Sequence, residues 1–242
     1  MRRKAFVAAA TLMLATVPIV AVHATNFAIL LGGPQRSDAD KARDADRKPA
    51  ELVAFAGIRP GMKVAELASG GGYFTRVLRL AVGPRGYVYA FGTRANPAVV
   101  AIAQANGNAA MVIGKAGDKL APEPVDVVWT TQNYHDFKNS KVDDVETAQL
   151  INRAAFASLK PGGVYLISDH QAAEGAGATQ TATLHRIEDA TVIREVEAAG
   201  FKLEARSAVL RHPADDHTLK VQESGIRGKT DQFVLRFRKP RR

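Results

Sequence analysis

Short apolar runs and longer amphipathic stretches alternate along most of this chain, and their spacing predicts strands and helices in turn. Lys63–Leu67, Tyr87–Phe91, Ala109–Ile113, Val125–Thr130 and Val164–Ser168 are compact apolar runs bounded by turn residues, as expected for strands covered on both faces. Between them, Thr75–Leu80 carries Val77, Leu78 and Leu80, and Asn96–Ala105 follows the second run. Val145–Leu159 repeats at helical spacing through Leu150, Ile151, Ala154, Ala155 and Leu159, and Lys160-Pro161-Gly162-Gly163 stops it. Glu51–Phe55 predicts a helix ahead of the first strand, with Pro49 suited to its first turn. Leu184–Ala199 predicts another, closed by Gly200, and Phe201–Val209 and Gln232–Phe237 predict the last two strands. Strand then helix, five times over, implies a mostly parallel sheet with helices on both faces. Gln171–Thr183 is one long irregular stretch of Ala, Gly and Thr, of the kind that is usually mobile or functional.

The first residues break this alternation. Arg2, Arg3 and Lys4 precede Ala5–Val22, a run of apolar and small residues interrupted only by Thr11, Thr16 and Pro18, and Val22-His23-Ala24 places small residues at a cleavage position. A basic start, an apolar run and a small-residue site make a secretory signal peptide, with cleavage expected after Ala24. The run is also about long enough to span a bilayer, so a retained anchor is the alternative. The paired arginines are compatible with twin-arginine export of a folded chain. A periplasmic or secreted bacterial protein is expected, with no stable membrane insertion after cleavage. Behind the signal, Gly32-Gly33-Pro34 marks a loose leader, and Arg36–Asp46 alternates acids and bases as an exposed segment or helix face would.

Removing the signal lowers the formal charge from +9 to +6. Much of the remaining excess lies in the tail from Arg236 to Arg242, which reads as a solvated end. No basic stripe with interleaved aromatics is present, so specific nucleic-acid binding is not expected. The chain has no cysteine, which excludes disulfides, thiolate metal sites and a cysteine nucleophile.

The densest chemical signal is Val64-Ala65-Glu66-Leu67-Ala68-Ser69-Gly70-Gly71-Gly72-Tyr73-Phe74-Thr75, a strand, a glycine loop and a helix start. Glycines allow a sharp turn and close approach of a ligand, and the helix start offers free N–H groups. The dinucleotide pattern fails because Thr75 stands at its third glycine, and the phosphate-loop pattern fails because Tyr73-Phe74 replace its Lys and Ser/Thr. An acid at the strand end before a short glycine loop remains. A tight strand-to-helix turn without a ligand is the plainer alternative.

This segment resembles the first motif of class I S-adenosylmethionine-dependent methyltransferases, with Glu66 as the acid, Gly70 and Gly72 in two of three glycine places and Ala68 in the other. Asp126–Thr130 resembles the family's fourth strand, Leu159–Ile167 its approach to the fifth, and Glu197–Phe201 its approach to the sixth. Asp46-Arg47-Lys48-Pro49, Asn133-Tyr134-His135-Asp136 and Leu184-His185-Arg186-Ile187 are similar to a group of exported bacterial methyltransferase-like proteins. The resemblance implies an α/β fold with a Rossmann-like, doubly wound, seven-stranded sheet, mostly parallel with an antiparallel last strand. It divides the chain into a signal peptide (1–24), a leader and helix (25–48) and a methyltransferase-like domain (49–242). It also implies S-adenosylmethionine as cofactor, held by Glu66, Ala68, Ser69, Gly70, Gly71, Gly72 and Tyr73. Gly92, Asp118, Asn133 and Tyr134 stand at further cofactor positions. Gly92 departs from the family, which carries an Asp or Glu there to hold the ribose.

Ligands in such sheets bind outside the carboxyl ends of the strands. Asn133–Asp136 follows the fourth strand and Asp169-His170 the fifth, so His135, Asp136, Asp169 and His170 are expected to converge. His135, Asp136 and His170 are the catalytic candidates: a neutral histidine can take a proton from a substrate hydroxyl while a carboxylate orients it. The same four side chains can alternatively hold a metal, though without a spacing signature none is expected. Arg186 can grip an acidic substrate group or join an ion pair. The cluster His212, Asp215, Asp216 and His217 reads as loop. A small-molecule acceptor is expected. The alternative is an exported, non-catalytic or repurposed small-ligand-binding protein on this fold.

Overall fold

The computed structural model describes residues 27–241, so the expected signal peptide lies outside the described residues. Its leader holds three short helices: α1 (residues 27–32), α2 (Asp38–Lys41) and α3 (Asp44–Arg47). There follow α4 (Pro49–Ala56), β1 (Lys63–Leu67), α5 (Tyr73–Val82), β2 (Tyr87–Gly92), α6 (Pro97–Ala105), β3 (Ala109–Ile113), β4 (Val125–Thr131) and the single turn α7 (Tyr134–Phe137). The short hairpin β5 (Lys141–Val142) and β6 (Val145–Glu146) leads into α8 (Thr147–Ser158), β7 (Leu159–His170), α9 (Asp189–Ala198), β8 (Lys202–Ser207) and β9 (Gln232–Arg238).

Seven strands form one sheet in the order β3-β2-β1-β4-β7-β9-β8, with β9 antiparallel to both neighbours. This is the doubly wound, mostly parallel sheet the sequence predicts. Consecutive strand residues point to opposite faces, and here both faces are apolar. Ala65, Val128, Tyr165 and Leu235 enter the core beneath α8 and α9, while Val64, Val127, Leu166 and Val234 enter the core beneath α4 and α5. Among the described residues, no helix is long and apolar enough to cross a membrane.

Three expectations change. The leader is pinned rather than exposed: Arg36 and Asp40 are buried, Arg36 pairs with Asp44 at 2.5 Å, and Asp40 pairs with Arg76 on α5. The fifth long strand starts at Leu159 and absorbs Lys160–Gly163 as an irregularity, where its pairing with β4 jumps between Val125 and Val127. The helix expected to start at Leu184 starts at Asp189. His185 takes a left-handed backbone (φ 56°) and Gln171 bridges Ile187, so the chain passes beside the end of β7 before it coils.

Candidate functional site

β1 ends in the glycine loop. Ala68, Gly70 and Gly72 all have left-handed backbones, with φ of 52°, 52° and 76°. Ala68 therefore adopts a glycine-like conformation without being glycine. Side chains added at Gly70 or Gly71 would meet nothing within 4 Å, so the loop has open space above it. At Gly72 an added Cβ would lie 2.5 Å from Ile102 Cδ1, so a larger residue there would have to displace the end of that side chain as well as adopt the left-handed backbone.

Glu66 is buried behind this loop and accepts a 2.6 Å hydrogen bond from Thr75 Oγ1. Burial pushes its carboxyl up to about 7, against the stabilising bonds from Thr75 and Ser69. Tyr73 is buried too: its hydroxyl donates to Asp44 at 2.6 Å, and the guanidinium groups of Arg36, Arg43 and Arg47 lie over its ring. It holds the leader down and does not line the open side of the loop. Asn133 donates to the carbonyls of Ala68 and Thr131, which ties the end of β4 to the glycine loop. Asn96, beyond β2, donates to Gly70 O at 2.5 Å. Asp118 closes its own turn through the Lys115 N–H at 2.7 Å. Gly92 ends β2 and brings no carboxylate to the edge.

Tyr134 moves furthest from its expected place. Its side chain turns into the core beneath α8, where the hydroxyl donates to Glu195 at 2.9 Å and accepts from Asn152 at 2.7 Å. It lines no groove. That inward turn of α7 leaves the next two residues, His135 and Asp136, at the carboxyl edge of the sheet.

A cavity of about 680 Å³ opens there, with His135, Asp136, His170, His185, Gln132 and Arg47 in its walls. Buried Asp169 accepts from the His135 backbone N–H and from its ring Nδ1, both at 2.8 Å. The carboxylate thus fixes the ring and holds a proton on Nδ1. Nε2 is left beside His185 Nδ1 at 3.3 Å and Asp136 Oδ1 at 3.4 Å. Burial disfavours charge on His135, and Asp169 and Asp136 outweigh it, so its value is raised. His170 behaves oppositely. Burial, helped by His135, Arg186 and Arg47, lowers it to about 4 against the pull of Asp169. It is neutral at neutral pH, with Nδ1 bonded to Thr230 Oγ1 at 2.8 Å.

The sequence brings His135, Asp136, Asp169 and His170 together, and the fold adds His185 and Arg47. His185 is set by its neighbour. The Arg186 side chain is fully buried and forms two bonds to Asp215, at 2.8 and 3.0 Å, and one each to the carbonyls of Gln171 and Leu219 at 3.0 Å. Arg186 is an anchor and cannot reach a substrate. Asp215 and His217, expected in a plain loop, belong to the same buried network through Asp231. Glu188 accepts from the N–H groups of Gly175 and Gly177, which orders the long loop ahead of His185. Arg47 donates to Gln132, itself left-handed at φ 59°, and retains its charge although burial and Arg43 lower it to about 10.

No family model matches the sequence, and no curated protein matches it. Solved structures do match in fold. An S-adenosylmethionine-dependent methyltransferase from Aquifex aeolicus is 17% identical with a TM-score of 0.60, over 89% of this chain and 98% of that one. The 1,6-didemethyltoxoflavin-N1-methyltransferase of Burkholderia thailandensis, solved with bound 1,6-didemethyltoxoflavin and S-adenosylhomocysteine, is 19% identical with a TM-score of 0.57, over 96% and 93%. The [4+2]-cyclase SpnF is 17% identical with a TM-score of 0.58, over 91% and 93%. The fold is that of the class I methyltransferases.

Proposed function

We propose that this protein is an exported S-adenosylmethionine-dependent methyltransferase acting on a small molecule. One observation carries the reading: a left-handed, open-topped glycine loop with a buried acid behind it is tied by Asn133 to the end of β4, where Gln132 and His135 line a polar cavity at the same sheet edge. The loop fits the amino-acid end of the cofactor, with Ala68, Gly70 and Gly71 beneath it and Asn133 fixing the adjacent turn. The ribose end has no carboxylate at Gly92, so the grip there is weaker. When bound, the cofactor supplies an electrophilic methyl group. The chain's part is to position an acceptor in the cavity, where His135, oriented by Asp169, prepares the acceptor's nucleophilic atom beside Asp136 and His185. Arg47 gives the cavity a fixed positive charge for an anionic acceptor group.

Isothermal titration with S-adenosylmethionine and S-adenosylhomocysteine tests the cofactor: binding of one per chain is expected, and no heat at millimolar ligand rejects it. The 25–242 chain starting at Thr25 is the expected mature form. Mass spectrometry of protein from a periplasmic fraction checks that terminus, and an intact Met1 start in the cytosol rejects export.

Gly92 motivates a second reading, a ligand-binding protein or a catalyst of another reaction on this fold, as SpnF is a [4+2]-cyclase on a similar one. A non-nucleotide molecule co-purified in the cavity favours it.

A further inference from the structure

Three donor atoms meet at the cavity wall. His135 Nε2, His185 Nδ1 and Asp136 Oδ1 lie 3.3, 3.4 and 3.5 Å apart, pair by pair. We propose that these three side chains bind one divalent transition-metal ion of the zinc type, leaving a fourth position open to the cavity.

The distances favour a particular geometry. Ligand atoms ~2.0–2.1 Å from a tetrahedral zinc stand ~3.3–3.4 Å from one another. The separations of 3.3, 3.4 and 3.5 Å lie within about 0.2 Å of that edge length. Octahedral coordination at the same bond length would bring neighbouring ligands to ~2.9 Å, closer than any of the three. Two imidazole nitrogens and one carboxylate suit Zn²⁺ or Co²⁺, whereas Mg²⁺ and Ca²⁺ are bound by oxygen ligands.

A second observation points the same way. His135 is backed by fully buried Asp169, which takes its other ring nitrogen at 2.8 Å. A carboxylate behind a histidine is the arrangement that orients a metal-ligating ring and strengthens its donor atom. His185 is held in a left-handed backbone conformation that few residues with side chains adopt, with the buried Arg186 anchor directly after it. The fold thus fixes the His135 ring and the His185 backbone independently of Asp136, whose side chain is half exposed. Zinc with three protein ligands keeps one position for water or substrate. Gln132 and Arg47 line the same cavity. An acceptor hydroxyl bound at that open position would have its proton affinity lowered by the ion, which would replace His135 Nε2 in preparing the acceptor, and this last step rests on the methyl-transfer reading.

The test uses the chelator-stripped 25–242 chain, without S-adenosylmethionine. Titration with CoCl₂ is expected to give a visible absorption band of tetrahedral Co²⁺ that saturates at one ion per chain and disappears on adding ZnCl₂. Asp136→Asn and His185→Gly should each lose the band; glycine tolerates the left-handed backbone at 185, and circular dichroism verifies folding. Asp169→Asn, a positioning change, should weaken binding about 10–100-fold. His212→Ala, outside the site, should leave binding unchanged. Acetohydroxamate should shift the band by occupying the open position. No stoichiometric binding by the unsubstituted chain, or unchanged binding in folded His185→Gly, overturns the proposal. Metal binding without any cofactor heat would leave the metal site standing and remove methyl transfer; cofactor heat without metal binding would do the reverse.

Discussion

Replacing Arg186 with methionine should damage this protein more than any change at the cavity wall. Methionine approximates the volume of the stem but removes all four hydrogen bonds of the guanidinium. Asp215, whose carboxylate is covered although the residue as a whole is only partly buried, keeps the backbone N–H groups of Asp231 and His217 at 2.7 and 3.1 Å but loses its counter-charge. The carbonyls of Gln171 and Leu219 lose their side-chain donor. Removing one partner of a buried ion pair costs about 3–5 kcal/mol. For a chain of this size each kcal/mol lowers Tm by about 2–4 °C, so Arg186→Met should melt roughly 6–20 °C below the unsubstituted protein. Urea titrations of Arg186→Met, Asp215→Asn and the double variant measure the pair directly. The two backbone N–H groups meet different oxygens of Asp215, so asparagine keeps an acceptor for only one of them, but it strands no charge, and the double variant should recover part of the loss. A change below about 1 kcal/mol in Arg186→Met, or strictly additive losses in the double variant, would refute the anchoring role.

Glu66 sets a pH dependence of the opposite sign to ordinary acid denaturation. Its folded value near 7 exceeds the usual 4.5, so between those pH values the folded chain keeps a proton that the unfolded chain has lost. Its contribution is full below pH 4.5, falls as pH rises to about 7 and is flat above. Glu66→Gln, which keeps an acceptor for Thr75, should therefore gain stability relative to the unsubstituted chain between pH 5 and pH 8, as read from urea midpoints; parallel curves would contradict this. Gly72→Ala should lose about 2–4 kcal/mol, from a left-handed alanine and the contact with Ile102. Gly70→Ala, with open space at its Cβ, should lose only about 1–2 kcal/mol; equal losses in thermal melts would show that the Ile102 contact is harmless.

The sheet was readable because each strand is apolar at consecutive positions and each connection is punctuated by Gly or Pro. Val64-Ala65 and Val127-Val128 announce strands covered on both faces, and their residues do divide between two cores. The convergence of His135 with Asp169 followed from β4 and β7 being neighbours. What stayed hidden has two physical causes. A single turn such as α7 spans barely one helical period and shows no repeat, so its core-facing Tyr134 could not be told from its cavity-facing His135. Long-range ion pairs leave no local trace: acids and bases alternate in Arg36–Asp46 as on a solvated face, yet Asp40 and Arg36 find partners and are buried. His185 joins the site through Arg186 and a left-handed backbone, neither of which periodicity reports.

The position of β9 has a consequence for biogenesis. The last strand in the chain is an interior strand of the sheet, inserted between β7 and β8. Until Gln232–Arg238 leaves the ribosome, β7 presents an unpaired edge along most of its length, and β8 has nothing to pair with. Thr230, the partner of His170, and Asp231, which joins Gln171 to the Asp215 network, arrive with that same terminal segment. A nascent or C-terminally clipped chain therefore has neither a closed sheet nor a finished cavity, and the exposed β7 edge makes it a template for aggregation. Emergence of Thr230–Arg238 is the event that both seals the sheet and assembles the site.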